Sequence, residues 1–292
     1  MHVQKPRSVR DVFEQSFLLY RRRFRFLIGT AVAILFPYYI ASTYVRTHFL
    51  LTDDQADQIV QDMEKKGDVW SVLSTAVSVR TEVWMLVLSA VFLLLVLPIL
   101  YGMIAQMSSK FLQHGQETTI ADAGNAAFRR LLPNMATLFL AIVVYLVLAV
   151  CYMELLSLVT YYLGAALGAL ATVIAILGTL AFIVGVVLYF IRFSFLPAIV
   201  VVEGLSFFRA MARSWRLTKF RSGQLLGFYV MLVIVCFVAQ VFMTLIGDMF
   251  FQSAGTQLLI AAIIGMLVMP FALTCMSTMF VELQSRDRNP MR

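Results

Sequence analysis

The chain has 292 residues, of which 61% are hydrophobic and 13% charged, with a formal net charge of +7. Soluble globular domains carry about 45–50% apolar and about 25% charged residues, so an ordinary soluble fold is excluded. Nucleic acid is not an expected partner either, because the basic residues are spread over four segments beside apolar blocks instead of forming one surface.

A membrane-spanning helix needs about 20 mainly apolar residues. Residues 1–25 carry seven Lys or Arg, and the apolar block after them is too long for the core of a cleavable signal peptide. The first span is expected at about residues 26–45, broken by Pro37, and the second at about 83–107, with Pro98 inside it. An apolar tract follows at about 135–202, long enough for two spans or three. The last two spans are expected at about 224–247 and 257–281, the latter holding Pro270.

Charge settles the long tract, because cytoplasmic loops carry the Lys/Arg excess. Two helices turning at 164–168 would each have ~30 residues and a length of about 45 Å, the thickness of a bilayer with its headgroups. With six spans, 19 of the 23 basic residues fall on the side of the N-terminus, whereas a seventh would carry the six in 192–221 across. The expected topology is therefore six spans in the cell membrane with both termini cytoplasmic. The loop at about 46–82 is then extracytoplasmic. Its acids, Asp53, Asp54, Asp57, Asp62, Glu64 and Asp68 among them, lack the spacing and turn glycine of a calcium loop.

The segments ahead of spans one, three and five are alike. Ser8, Thr119 and Ser206 are each followed nine residues later by an aromatic, Phe17, Phe128 and Trp215, and then by an apolar span. Asp11 and Asp122, three residues after Ser8 and Thr119, complete a helix N-terminus signature. Wound as helices, all three segments are amphipathic. In the first, Val9, Val12, Phe13, Phe17, Tyr20 and Phe24 lie opposite Asp11, Glu14, Arg21 and Arg22. In the second, Ile120, Phe128 and Leu131 lie opposite Asp122, Asn125 and Arg129. In the third, Arg209, Arg213 and Arg216 line one face, and Phe208, Met211 and Trp215 the other. Helices of this kind lie at the membrane surface, basic side toward anionic lipid and aromatic side toward acyl chains.

The predicted fold is all-α: one membrane domain of six transmembrane helices, built as three repeats at about 8–110, 119–202 and 206–283. Each repeat is an interfacial helix plus a two-helix hairpin. The even-numbered spans each contain a proline, Pro98, Pro197 or Pro270, which frees a carbonyl that small polar neighbours can satisfy.

The stretch Ala210-Met211-Ala212-Arg213-Ser214-Trp215-Arg216-Leu217-Thr218-Lys219-Phe220-Arg221 resembles the A-x-x-x-S-W-x-L-T-K-G-R segment of the glycerophosphoryl diester phosphodiesterase membrane-domain family. Phe220 stands where that family has glycine. The opening, from Asp11-Val12-Phe13 to Tyr20-Arg21-Arg22-Arg23-Phe24, is similar to the start of the same family. The resemblance implies a multi-span module of the kind that is sometimes fused to a soluble phosphodiesterase barrel. No segment here suits such a barrel, so a stand-alone module without that activity is expected.

Catalytic motifs are lacking: there is no Gly-rich phosphate loop, no H-E-x-x-H and no G-x-S-x-G. His2, His48 and His114 cannot meet under this topology. Cys151, Cys236 and Cys275 fall in apolar blocks without a pairing motif and are expected to be buried small hydrophobes. No catalytic, metal or cofactor site is expected, and the protein is read as not an enzyme. Glu154 is the one ionisable residue well inside an apolar block, where charge is costly. It is read as an interfacial or helix-pairing carboxylate, with a place in a solute pathway as the alternative. The expected headgroup contacts are Arg21, Arg22, Arg129, Arg130, Arg209, Arg213, Arg216 and Lys219, each contributing about 1 kcal/mol of attraction to anionic lipid. The expected function is a protein that organises lipid or assists a membrane complex, with membrane lipids and a membrane protein as partners. The alternative is a transporter or permease component for a lipid-like or hydrophobic solute.

Overall fold

The computed structural model describes residues 8–49, 79–163, 168–219, 221–250 and 254–288; His2 and most of the 46–82 loop lie outside them. Every regular element among the described residues is helical. In chain order, α1 (Val9–Arg22) leads into α2 (Phe24–Phe49). Helix α3 (Val79–Val91) passes through a π-helical turn, Phe92–Val96, into α4 (Leu97–His114). Helix α5 (Ile120–Arg129) precedes α6 (Leu131–Leu158), which ends in a second π-helical turn. Helix α7 (Ala169–Phe193) is followed by a short α8 (Leu196–Ala198) and a third π-helical segment, Ile199–Glu203. Helix α9 (Phe207–Thr218) precedes α10 (Ser222–Phe250), and α11 (Ala254–Arg288) closes the described chain.

Among the described residues, six helical stretches are long and apolar enough to cross a membrane: Phe24–Val45, Leu86–His114, Leu131–Tyr162, Thr172–Glu203, Ser222–Phe242 and Ala262–Asp287. The long tract thus holds two spans, the first ending in the π-helical turn at Val159–Leu163 and the second beginning with α7 at Ala169. The protein is a multi-pass membrane protein.

The three short helices form where the Ser/Thr pattern places them. Ser8 and Asp11 make a reciprocal capping box, with Ser8 N–H donating to Asp11 Oδ2 at 2.8 Å and Asp11 N–H to Ser8 Oγ at 3.3 Å. Thr119 Oγ1 accepts from Asp122 N–H at 3.2 Å. Ser206 makes no side-chain cap. The first N–H of α9, on Phe207, instead donates to Thr137 Oγ1 of α6 at 2.9 Å, which ties the start of α9 to the middle hairpin. Phe207 has φ +52°, a conformation a bulky side chain takes only when its surroundings impose it.

The prolines act in three different ways. Pro37 was expected to break the first span, but α2 runs through it. Ahead of Pro98 the backbone widens into the π-turn, and Leu97 N–H bonds to Phe92 O, which makes room for the ring without losing the ladder. Pro197 follows a two-residue break at Ser194 and Phe195. Around Pro270 helix α11 stays continuous, and the Thr274 hydroxyl donates to the Pro270 carbonyl at 2.7 Å.

The core belongs to the second and sixth spans and to the end of the fourth at residues 195–201. The second and sixth are 44% and 56% buried, the third and fourth only 11% and 6%. Ile99–Ser109 of α4, residues 195–201 and residues 273–284 of α11 supply most of the fully buried side chains. The far half of the α6–α7 hairpin and of α10 shows Leu146, Val150, Leu177, Val184, Phe237 and Phe242 outward, an apolar surface of the kind that hydrocarbon covers.

Helix α1 is more deeply packed than a free surface helix. Val12, Phe13, Ser16 and Leu19 are buried, Phe13 lies against Phe228 of α10 with ring centroids 5.3 Å apart, and the Tyr20 hydroxyl donates to Leu267 O of α11 at 3.0 Å. Of its apolar residues only Phe17 and Leu18 remain well exposed, with Phe24 at the start of α2 beside them. Much of the face expected to meet acyl chains is therefore covered by α10 and α11 instead.

Candidate functional site

Helix α9 organises the site. Its small residues Ala210 and Ser214, with Leu217 and Thr218, face inward and are buried. The Ser214 hydroxyl donates to the Arg192 carbonyl at the end of α7. The Arg192 guanidinium lies over the Trp215 ring, 3.8 Å from its centroid, a favourable cation–π stack. The S-W-x-L-T stretch is thus the seam that seats α9 on the end of the fourth span.

Arg213 departs from the outward stripe expected for it. Its side chain is only 12% exposed, and that of Glu203 13%. Nε donates to Glu203 Oε2 at 2.8 Å, Nη2 to Glu203 Oε1 at 3.3 Å and Nη1 to Asp287 Oδ2. Burial pulls the Arg213 pKa down, but the hydrogen bonds and charges of Glu203 and Asp287 outweigh it and leave the pKa raised. Gln284 Nε2 donates to Glu203 Oε1 at 2.9 Å, and Gln113 Nε2 donates to Gln284 Oε1 at 2.6 Å. Arg216, 69% exposed, reaches Asp287 at 3.4 Å. All three even-numbered spans therefore end in one polar cluster: Gln113 from α4, Glu203 after α8, and Gln284 with Asp287 from α11, joined by Arg213 of α9.

Beside this cluster opens a cavity of about 700 Å³, lined among others by Gln106, Lys110 and His114 of α4, and by Glu203, Arg213 and Arg216. Its lining carries the cations Lys110, Arg213 and Arg216 against a single carboxylate.

The other expected contact residues are spread around the same end. Arg21 and Arg22 are exposed beside a groove of about 540 Å³ between α1 and α4, walled by Leu18, Leu19, Phe111 and Leu112. Arg129 and Arg130 are exposed at the end of α5, and Arg130 Nη1 donates to Gly204 O at 3.4 Å. Arg209 and Lys219 are exposed on α9. The Glu154 side chain is exposed on α6, and Ser157 bonds to its backbone carbonyl, not its carboxylate, so it pairs no helices there. Cys275 is buried and Cys236 half-buried, as expected, but Cys151 is exposed, because the outer part of its hairpin has no protein around it. Among the described residues no three His, Cys, Asp or Glu gather to hold a metal ion.

The cluster was missed in the sequence because its members are 171 and 81 positions apart. A signal was present nonetheless: Glu203 is a lone charged residue at the end of one apolar block, and Gln284 and Asp287 stand in the polar run that follows another.

These features define a class, the all-helical six-span membrane protein with a polar cluster at one end of its central spans. The chain belongs to the family described as DUF7847, a domain of unknown function, which matches residues 67–283. The match takes in the whole of α3 to α10 and leaves α1 and α2 outside. No curated protein and no solved structure matches the chain.

Proposed function

We propose that this protein is non-catalytic and organises phospholipid at the cytoplasmic leaflet of the cell membrane, its three short helices being repeats of one lipid-binding device. The observation that carries this reading is that α1, α5 and α9 each present exposed arginines beside exposed aromatics: Arg21 with Phe17, Arg129 with Phe128, Arg209 with Phe208. This pairing suits the headgroup–acyl boundary. The resemblance to a stand-alone glycerophosphoryl diester phosphodiesterase membrane domain supports a module of this kind without the hydrolase activity.

Two results test it. In a variant lacking the three native cysteines, Arg209→Cys is expected to resist an impermeant maleimide on intact cells and to react after permeabilisation. Reaction on intact cells would put α9 outside and end the cytoplasmic assignment. In reconstituted vesicles, the double change Arg129→Gln/Arg209→Gln is expected to lower the preference for spin-labelled anionic over zwitterionic lipid by on the order of fivefold per cation removed. An unchanged preference rejects the lipid reading.

A second reading, a permease component for a lipid-like solute, has one observation in its favour. The second and fourth spans carry π-helical segments beside Pro98 and Pro197, and such turns recur at functional sites. Flux of a labelled lipid in proteoliposomes, lost in Glu203→Gln, would favour it.

A further inference from the structure

We infer that the cavity between α4 and α9 is a discrete binding site for the oxyanion of a phosphate ester. The inference rests on the leaflet reading above and narrows it from diffuse attraction to one stoichiometric site.

Charge points to an anion. Lys110, Arg213 and Arg216 face the cavity; Glu203 and Asp287 offset two of these charges through Arg213 and Arg216 and leave an excess of one positive charge. Glu203 Oε1 accepts from Gln284 and Arg213, and Oε2 from Arg213. It therefore holds Arg213 in place and does not compete for Lys110. Gln106, Lys110 and His114 recur every fourth residue along α4, which stacks them on one face of the helix. Arg216 approaches from α9. A point charge and a planar fork thus converge from two elements, an arrangement that suits a multiply charged oxygen group.

The supporting shell is built before any ligand arrives. Gln113, Gln284, Glu203, Arg213 and Asp287 form a continuous chain of hydrogen bonds along one wall of the cavity, and positioned groups lower the ordering cost of binding. The volume, about 700 Å³, lies in the range of small-ligand sites, roughly 300–1,000 Å³. A phospholipid headgroup and a soluble phosphate ester both offer this chemistry.

The test uses the full-length protein in detergent with two probes, phosphatidylglycerol counted per protein by native mass spectrometry and glycerol 3-phosphate titrated by calorimetry. Lys110→Gln and Arg216→Gln leave the Glu203–Arg213 pair intact, and matching melting temperatures verify the fold. Each is expected to weaken binding of at least one probe by about fivefold or more, with Lys110→Arg recovering most of it and Arg10→Gln, at an exposed position of α1 away from the cavity, binding like wild type. Retention of phosphatidylglycerol identifies a lipid headgroup as the source. Binding of glycerol 3-phosphate alone identifies a soluble ester. Wild-type binding in both cavity variants, or no binding of either probe, overturns the site. If only the Arg129→Gln/Arg209→Gln variant loses lipid, the cavity assignment fails and the leaflet reading survives; if no variant alters binding of either probe, both fail.

Discussion

Arg213→Met is expected to destabilise the protein by about 3 kcal/mol, the scale found when one partner of a buried ion pair is removed. The change leaves Glu203 with a side chain 13% exposed and no guanidinium, next to Asp287, which shared that cation. Two carboxylates then face each other at the end of the bundle, with only Arg216 reaching Asp287 at 3.4 Å. The loss is read as a lower melting temperature in detergent. Glu203→Gln alone is expected to cost less, because its amide oxygen still accepts from Arg213 and leaves one carboxylate fewer to neutralise. The double change Arg213→Met/Glu203→Met is expected to recover part of the loss, since replacing a whole buried pair by apolar groups is often neutral. A wild-type melting temperature for Arg213→Met would show that the cluster carries no stability.

Gly102→Val is expected to cost about 1–3 kcal/mol, the scale of overpacking in a close-packed interior. Gly102 is buried in α4 where that helix meets the π-helical segment after α8. A Cβ at this position would stand 2.8 Å from Val201 Cγ2 and 3.6 Å from Ala127 Cβ. Val201 is itself buried and, being β-branched, has no spare rotamer to swing into. The clash would separate α4 from Ile199–Glu203, and with it Lys110 and Gln113 from Glu203. The variant is therefore expected to lose phosphate-ester binding together with melting temperature. Gly227→Val serves as control, because a Cβ at Gly227 meets nothing within 4 Å. Equal melting temperatures for Gly102→Val and the control would disprove the tight approach.

Much of the architecture was legible in the chain. The apolar blocks located all six long helices, because a bilayer demands a minimum run of apolar residues whatever the neighbours are. Ser8, Asp11, Thr119 and Asp122 located two of the short helices through local hydrogen bonds that span three residues. Ser206 misled in one respect, since its helix is capped by Thr137 from 70 positions away. The exposure of Arg21, Arg22, Arg129 and Arg209 was legible in the helical pattern.

Helical periodicity alone could not separate Arg213 from Arg209 and Arg216. The stripe of three arginines reads as one face, but the seam of Ala210, Ser214 and Leu217 turns Arg213 toward Glu203 and leaves the other two outside. Pro98 and Pro197 likewise announce a departure from the α-helix without saying that each is met by a π-helical segment.

The sequence by itself determined six helices long and apolar enough to cross a membrane and the starts of two short helices at Ser8 and Thr119, because hydrophobic length and N-capping act over a few turns of one segment. Only the tertiary structure decided that Gln113, Glu203, Arg213, Gln284 and Asp287 meet. That meeting depends on which helix faces bury against each other, and a buried charge finds its partner across the bundle, not along the chain.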